Sequence, residues 1–195
     1  MLAAVFLLIV FAQDNLISFS EGCVFFILYF MYIFSLYLRS KNKQNEDLIE
    51  ERASYIFLIA GLISMLVGAQ LTVDSAIEIA SQLGVPEMVI GLTVVAVGTS
   101  LPELAGTISA ARMGHKEIAV GNVIGSNIAN IFLVMGVLAM INDIAVDQWV
   151  LEITLPLLMI ITVAAFSLIR VPFNRISGLI LFAFFILFIY ELTFV

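Results

Sequence analysis

The stretch Gly98-Thr99-Ser100-Leu101-Pro102-Glu103 lies in the middle of an apolar run from about 87 to 111. It sets a carboxylate, two hydroxyls and a helix-breaking proline where hydrocarbon would surround the chain. An ionisable side chain at the centre of a bilayer costs about 2.5–3.5 kcal/mol or more, and such residues mark ion or substrate pathways by default. Glu103 reads as the sole charge near the centre of any apolar run.

The rest of the chain agrees with that setting. Of its 195 residues, 63% are hydrophobic, and the mean hydropathy is +1.16. Too little polar surface remains to face water on all sides, so the chain is expected to be an integral membrane protein. The net charge of −7 comes with no basic patch, which excludes nucleic-acid binding. Cys23 is the one cysteine and rules out an internal disulfide or a cysteine metal centre. His115, beside Lys116, reads as a solvated loop residue. No Ser/His pair or paired aspartates occur at matching depth, and no phosphate-binding G-x-x-x-x-G-K-[ST] loop occurs. The chain is therefore expected not to be an enzyme and to need no cofactor.

Apolar runs fall at about 1–12, 21–38, 54–80, 87–111, 117–140, 149–169 and 176–194. A helix needs about 20 residues to cross the hydrocarbon, so six runs are long enough and the first is too short. Backbone groups must be satisfied internally in lipid, and runs of this length without alternation are helices. The expected fold class is all-α and polytopic, with six full transmembrane helices plus one truncated N-terminal helix.

All eight basic residues sit in three places: Arg39, Lys41, Lys43 and Arg52; Arg112 and Lys116; Arg170 and Arg175. The intervening turns carry Asp14, Glu87, Asp143 and Asp147 instead. The positive-inside rule then makes the three basic loops cytoplasmic and puts the C-terminus outside, with Trp149 near the outer interface. Residues 39–53 read as a cytoplasmic linker.

Setting Gly22 over Gly178 aligns the runs 1–12 and 21–38 with 149–169 and 176–194, and puts Phe26 over Phe182. In that register Met1 falls opposite Leu157, inside a helix, so the first helix is expected to have lost its beginning. Residues 1–38 would be the remnant of a preceding half. The two pairs run in opposite senses across the membrane, the pattern of inverted repeats in secondary transporters.

Thr99 and Glu103 are four apart and Ser100 is three from Glu103, so their oxygens share a helix face. Pro102 should free carbonyls near Ala96 and Gly98, and unwound carbonyls at membrane depth are ready cation ligands. A plainer alternative is a capping box, Ser100-x-x-Glu103, that only starts a helix. In the next run, Gly121-Asn122-Val123-Ile124-Gly125-Ser126-Asn127-Ile128-Ala129-Asn130, Ser126 and Asn130 again share a face. Gly121 and Gly125 are expected to allow close helix approach, while Asn122 and Asn127 are expected to serve packing or backbone satisfaction. Oxygen donors without nitrogen or sulfur favour hard cations such as Na⁺ or Ca²⁺. Ca²⁺ takes six to eight oxygens, more than these residues supply.

GLTVVAVGTSLPEL from Gly91, GNVIGSNIAN from Gly121 and VGAQLTVDSAIEIA at 67–80 together resemble the α-repeat of the sodium/calcium exchanger (calcium/cation antiporter) superfamily, over about 55–140. The resemblance implies half of a ten-helix fold built from two inverted five-helix halves, with residues 54–195 as its exchanger membrane region. It implies Thr99, Ser100 and Glu103, the Ala96 carbonyl, and Ser126 and Asn130 as metal ligands. Asn130 stands where some members have aspartate, so the site carries less negative charge. One α-repeat is present, and the expected partners are the bilayer and a complementary half bearing another repeat, or preceding sequence. The function so implied is antiport of Ca²⁺ for Na⁺ across a plasma (inner) membrane. The alternatives are half of a Ca²⁺/H⁺ antiporter, or a non-transporting fragment or assembly subunit.

Overall fold

The computed structural model describes residues 1–41, 51–85, 90, 94, 96–169 and 175–194. Glu87, Lys43, Arg170, the motif residues 91–93 and most of the linker lie outside the described residues. The described chain is helical apart from one two-residue strand pair. Among the described residues, four helical spans are long and apolar enough to cross a membrane: Phe19–Arg39, Tyr55–Gln82, Lys116–Ile141 and Val150–Ser167. The last helix, Arg175–Phe194, has 20 residues. The chain divides into two units, Met1–Gln44 with Val123–Ile186, and Asn45–Asn122 with Leu187–Val195.

The first unit is built on small residues. The short helix Leu2–Phe11 buries Ala4, Val5 and Leu8 and packs against Leu155–Ile169. The helix Phe19–Lys41 crosses Gly136–Ile141 at a pair of glycines. A Cβ on Gly22 would stand 2.8 Å from the Gly136 carbonyl oxygen, and one on Gly136 would stand 3.1 Å from that of Gly22. Beside this crossing Phe25 is fully buried, with ring centroids 5.1 Å from Phe11 and 5.8 Å from Phe132. Backbone contact lets dispersion act without side-chain ordering, the way helices associate in lipid. Close approach was expected at Gly121 and Gly125, but nothing described lies within 4 Å of a Cβ at either. Nor does Gly178 share the crowded surroundings of Gly22, over which the sequence set it.

The two turns that bear Asp14 and Asp143 are latched together at one end of this unit. Leu16 pairs with Ala145 and Ile17 with Ile144. Asn15, left-handed at φ 64°, donates its side-chain amide to the Val146 carbonyl and to Gln148 Oε1 at 3.0 and 3.1 Å. The Phe19 amide donates to Asp143 Oδ1 at 2.9 Å. Both turns thus lie at the same end of this unit.

In the second unit two helices end alike. After Glu51–Gln82 the Val85 amide reaches back to the Ala80 carbonyl, and after Leu101–Arg112 the His115 amide reaches Ala110. Each closure needs a left-handed residue, supplied by Gly84 (φ 76°) and Gly114 (φ 84°).

Gly22→Ala is expected to destabilise the chain by about 1–3 kcal/mol, because its methyl meets backbone that cannot move aside. Gly178→Ala should be neutral or stabilising by up to about 1 kcal/mol. Thermal unfolding of both variants in detergent checks the contrast.

Candidate functional site

The run that opened the sequence analysis is two helices. A short one, Ala96–Thr99, stops at Ser100, and a second runs from Leu101 to Arg112. Ser100 has φ −95° and ψ 1°; its amide donates to the Val97 carbonyl at 3.1 Å, and the Leu104 amide donates to its own carbonyl at 3.0 Å. The break falls two residues before the proline. Pro102 sits in the first turn of the second helix, where a missing N–H is tolerated, so it starts a helix rather than kinking one.

The capping-box alternative fails on geometry. Ser100 occupies the cap position but makes no side-chain cap hydrogen bond. The glutamate half of such a box forms elsewhere in the chain, where Glu21 Oε2 accepts both the amide and the hydroxyl of Ser18 at 2.8 Å. Glu103, at the corresponding position in its helix, has Oε2 buried and without a hydrogen-bond partner among the described residues. A buried oxygen of this kind calls for an explanation such as an ion. The positive end of the helix dipole favours its negative charge.

Gly98 packs against the long helix of this unit, where a Cβ would overlap the Val73 side chain. The adjoining cleft of about 370 Å³ is lined by Thr72, Val73, Ala76, Val94, Val97, Gly98 and Leu101. These are mostly apolar side chains, and the cleft includes neither Thr99 nor Glu103, so it is no cation cage.

Ala96, Thr99, Ser100 and Glu103 thus fall together around one helix break in the second unit. Ser126 and Asn130 belong to the first. Ser126 donates its hydroxyl to the Val123 carbonyl at 3.2 Å, which leaves its oxygen able to accept or ligate. Asn127 spends its amide on the same carbonyl at 2.8 Å, and Asn122 spends its own on Glu103 and Thr107, so both serve the backbone as expected. Asn130 is exposed and opens a π-helical turn, Asn130–Met135. Among the described residues no three His, Cys, Asp or Glu side chains gather as metal ligands.

Glu103 is not the sole charge within an apolar span. Asp74 lies inside Tyr55–Gln82, about 12 Å from its end at 1.5 Å per residue. It accepts from Gln70 Nε2 at 2.9 Å, and Gln82 reaches Glu78 at 3.4 Å. The four-residue spacing of Gln70, Asp74, Glu78 and Gln82 is the signal that hydropathy alone passed over.

The family model described as sodium/calcium exchanger protein matches residues 53–194. Sodium/calcium exchanger MaX1 of Methanosarcina acetivorans is 40% identical over 154 residues, which cover 77% of this chain and 44% of that protein. Putative antiporter CaxA of Alkalimonas amylolytica is 32% identical, with 90% of this chain and 60% of that protein covered. A solved structure of the sodium-calcium exchanger NCX_Mj, soaked with 2.5 mM Na⁺ and 10 mM Sr²⁺, is similar at TM-score 0.81 and 33% identity, over 97% of this chain and 63% of that one. The chain spans less than two thirds of the length of each of these relatives.

If Ser100 does not cap, Ser100→Ala should change unfolding stability by less than about 0.5 kcal/mol. Ser18→Ala should cost about 0.5–2 kcal/mol. Equal losses in thermal unfolding would restore the capping role of Ser100.

Proposed function

The chain belongs to the sodium/calcium exchanger family, and on that premise we propose that it forms part of a secondary antiporter exchanging Ca²⁺ for Na⁺. The observation that carries this reading is the buried, unpartnered Glu103 Oε2 at a helix break within an apolar run. The ions would be held by Glu103, Thr99, Ser100 and the Ala96 carbonyl, with Ser126 and Asn130 adding neutral oxygens. The Ser100 amide bonds three residues back, to Val97, and a helix end tightened this way leaves the carbonyl four residues back, that of Ala96, for another partner. Hard cations compete for one set of oxygens, so Na⁺ binding from one side would displace Ca²⁺ to that same side, and the site, once turned to the other side, would exchange its Na⁺ for Ca²⁺ there. The Na⁺ gradient supplies the energy.

Ca²⁺ sites use six to eight oxygens and usually more than one carboxylate. Glu103 alone falls short, so the complete site would draw on a complementary half bearing a second repeat, from another chain or from preceding sequence. With 87–111 and Arg175–Phe194 counted as crossings, this chain would contribute six full helices and a short first one. The basic loops would face the cytoplasm and the C-terminus the outside of an inner membrane.

Glu103→Gln keeps the size and removes the charge. It should abolish Na⁺-driven Ca²⁺ uptake into vesicles that contain this chain with its complement, while membrane insertion is unchanged; near-normal uptake would refute the site. Ser126→Ala and Asn130→Ala should weaken Ca²⁺ affinity without eliminating flux. Purified chain alone in liposomes should not exchange, and robust exchange there would remove the need for a complementary half.

A further inference from the structure

Asn122 holds the main chain of the residue that bears the candidate carboxylate. Its Nδ2 donates to the Glu103 carbonyl oxygen at 3.0 Å and to Thr107 Oγ1 at 2.9 Å. In an α-helix the carbonyl of residue 103 already accepts the amide of residue 107, so the asparagine occupies the second lone pair of that carbonyl. It bridges the two ends of a single helical turn. Gly106 lies between them, and a Cβ there would stand 3.7 Å from the same nitrogen, so the amide rests directly over the turn. The contact is half-buried, within the second unit throughout.

Three facts give this contact a role beyond packing. The Glu103 side chain has Oε2 buried without a partner, so hydrogen bonding at that oxygen does not orient the carboxylate. The helix begins only two residues before Glu103, and first-turn backbone is the part of a helix most prone to fray. Asn122 also stands four residues before Ser126 and eight before Asn130, on one face of its helix by spacing.

Resting on the Ca²⁺/Na⁺ reading above, we propose that Asn122 is a positioning residue for cation binding. Its carboxamide fixes the first turn of the Leu101–Arg112 helix and so sets where the Glu103 carboxylate stands. It does not touch the ion. An amide that spends both hydrogens on Glu103 and Thr107 has its donor side turned to protein. Thr107 is the lesser partner, because the bond to the Glu103 carbonyl survives its removal.

The test is Ca²⁺-dependent thermal stabilisation of the whole chain assembled with its complementary half in lipid nanodiscs, titrated with CaCl₂ through the millimolar range. The variants are Asn122→Ala, Asn122→Asp, Thr107→Val and Glu103→Gln. Loss of one hydrogen bond that fixes a ligand should raise the Ca²⁺ midpoint about 3- to 10-fold in Asn122→Ala and in Asn122→Asp. Asn122→Asp keeps the shape and loses the donors, so it carries the test even if the alanine variant folds poorly. Thr107→Val should move the midpoint by less than about 3-fold. A lower basal melting temperature with an unmoved Ca²⁺ midpoint in both Asn122 variants would make Asn122 purely structural and overturn the proposal. Tighter Ca²⁺ binding by Asn122→Asp would do the same, since only a residue facing the ion gains from a new carboxylate. Full loss of the response in Glu103→Gln beside an unmoved Asn122→Asp overturns this inference alone. An assembly of the unmodified chain with its complementary half that Ca²⁺ does not stabilise refutes the site reading itself.

Discussion

No water is available in hydrocarbon to repair a broken helix, so a break at membrane depth persists only where protein satisfies the freed groups or uses them. The interruption at Ser100 obeys this constraint. Its amide and carbonyl are taken up by Val97 and Leu104, and Pro102 brings no donor that needs a partner. The Glu103 carbonyl receives an additional bond from Asn122. Beside these satisfied groups, Glu103 Oε2 is buried without a partner among the described residues.

The opposite arrangement holds at the latched turns of the first unit. There Asp14, Glu21 and Asp143 all accept backbone amides: Asp14 from Leu16, Glu21 from Ser18 and Asp143 from Phe19. Carboxylates engaged with neighbouring amides hold a shape, whereas a carboxylate with an open oxygen can take a ligand. The same functional group thus meets two different surroundings in one chain, and its hydrogen bonds tell them apart.

Much of this was legible in the sequence, for identifiable reasons. Apolar run length located the four spans that the described residues show to be long and apolar enough, because hydrocarbon thickness imposes a length on the chain without reference to tertiary contacts. The broken helix was legible from Ser100, Pro102 and Glu103 together, although the break lies at Ser100 and not at the proline. What stayed hidden depends on partners distant in sequence. Nothing local distinguishes Gly22, pressed against Gly136, from Gly121, which faces open space. Asn122 was legible as a residue serving the backbone, but not as one serving the Glu103 carbonyl, since 19 positions separate them. Asp74 was overlooked because a hydropathy window averages one carboxylate away among valines and leucines.

The π-helical turns at Asn130–Met135 and Val150–Thr154 have a bearing on inheritance. A π turn accommodates one residue more than the α-helix around it. It is the form in which a helix absorbs a single-codon insertion without ejecting either flank from the membrane. Downstream side chains keep the azimuth of an α-helix one residue shorter, so Gly136 turns toward Gly22 on an azimuth that plain counting along the helix does not give. A deletion of one codon within 130–135 would therefore return the turn to α-helix and leave the Gly136 contact in place, whereas a deletion in regular α-helix rotates one flank by about 100°, a difference that sequence comparison would not score.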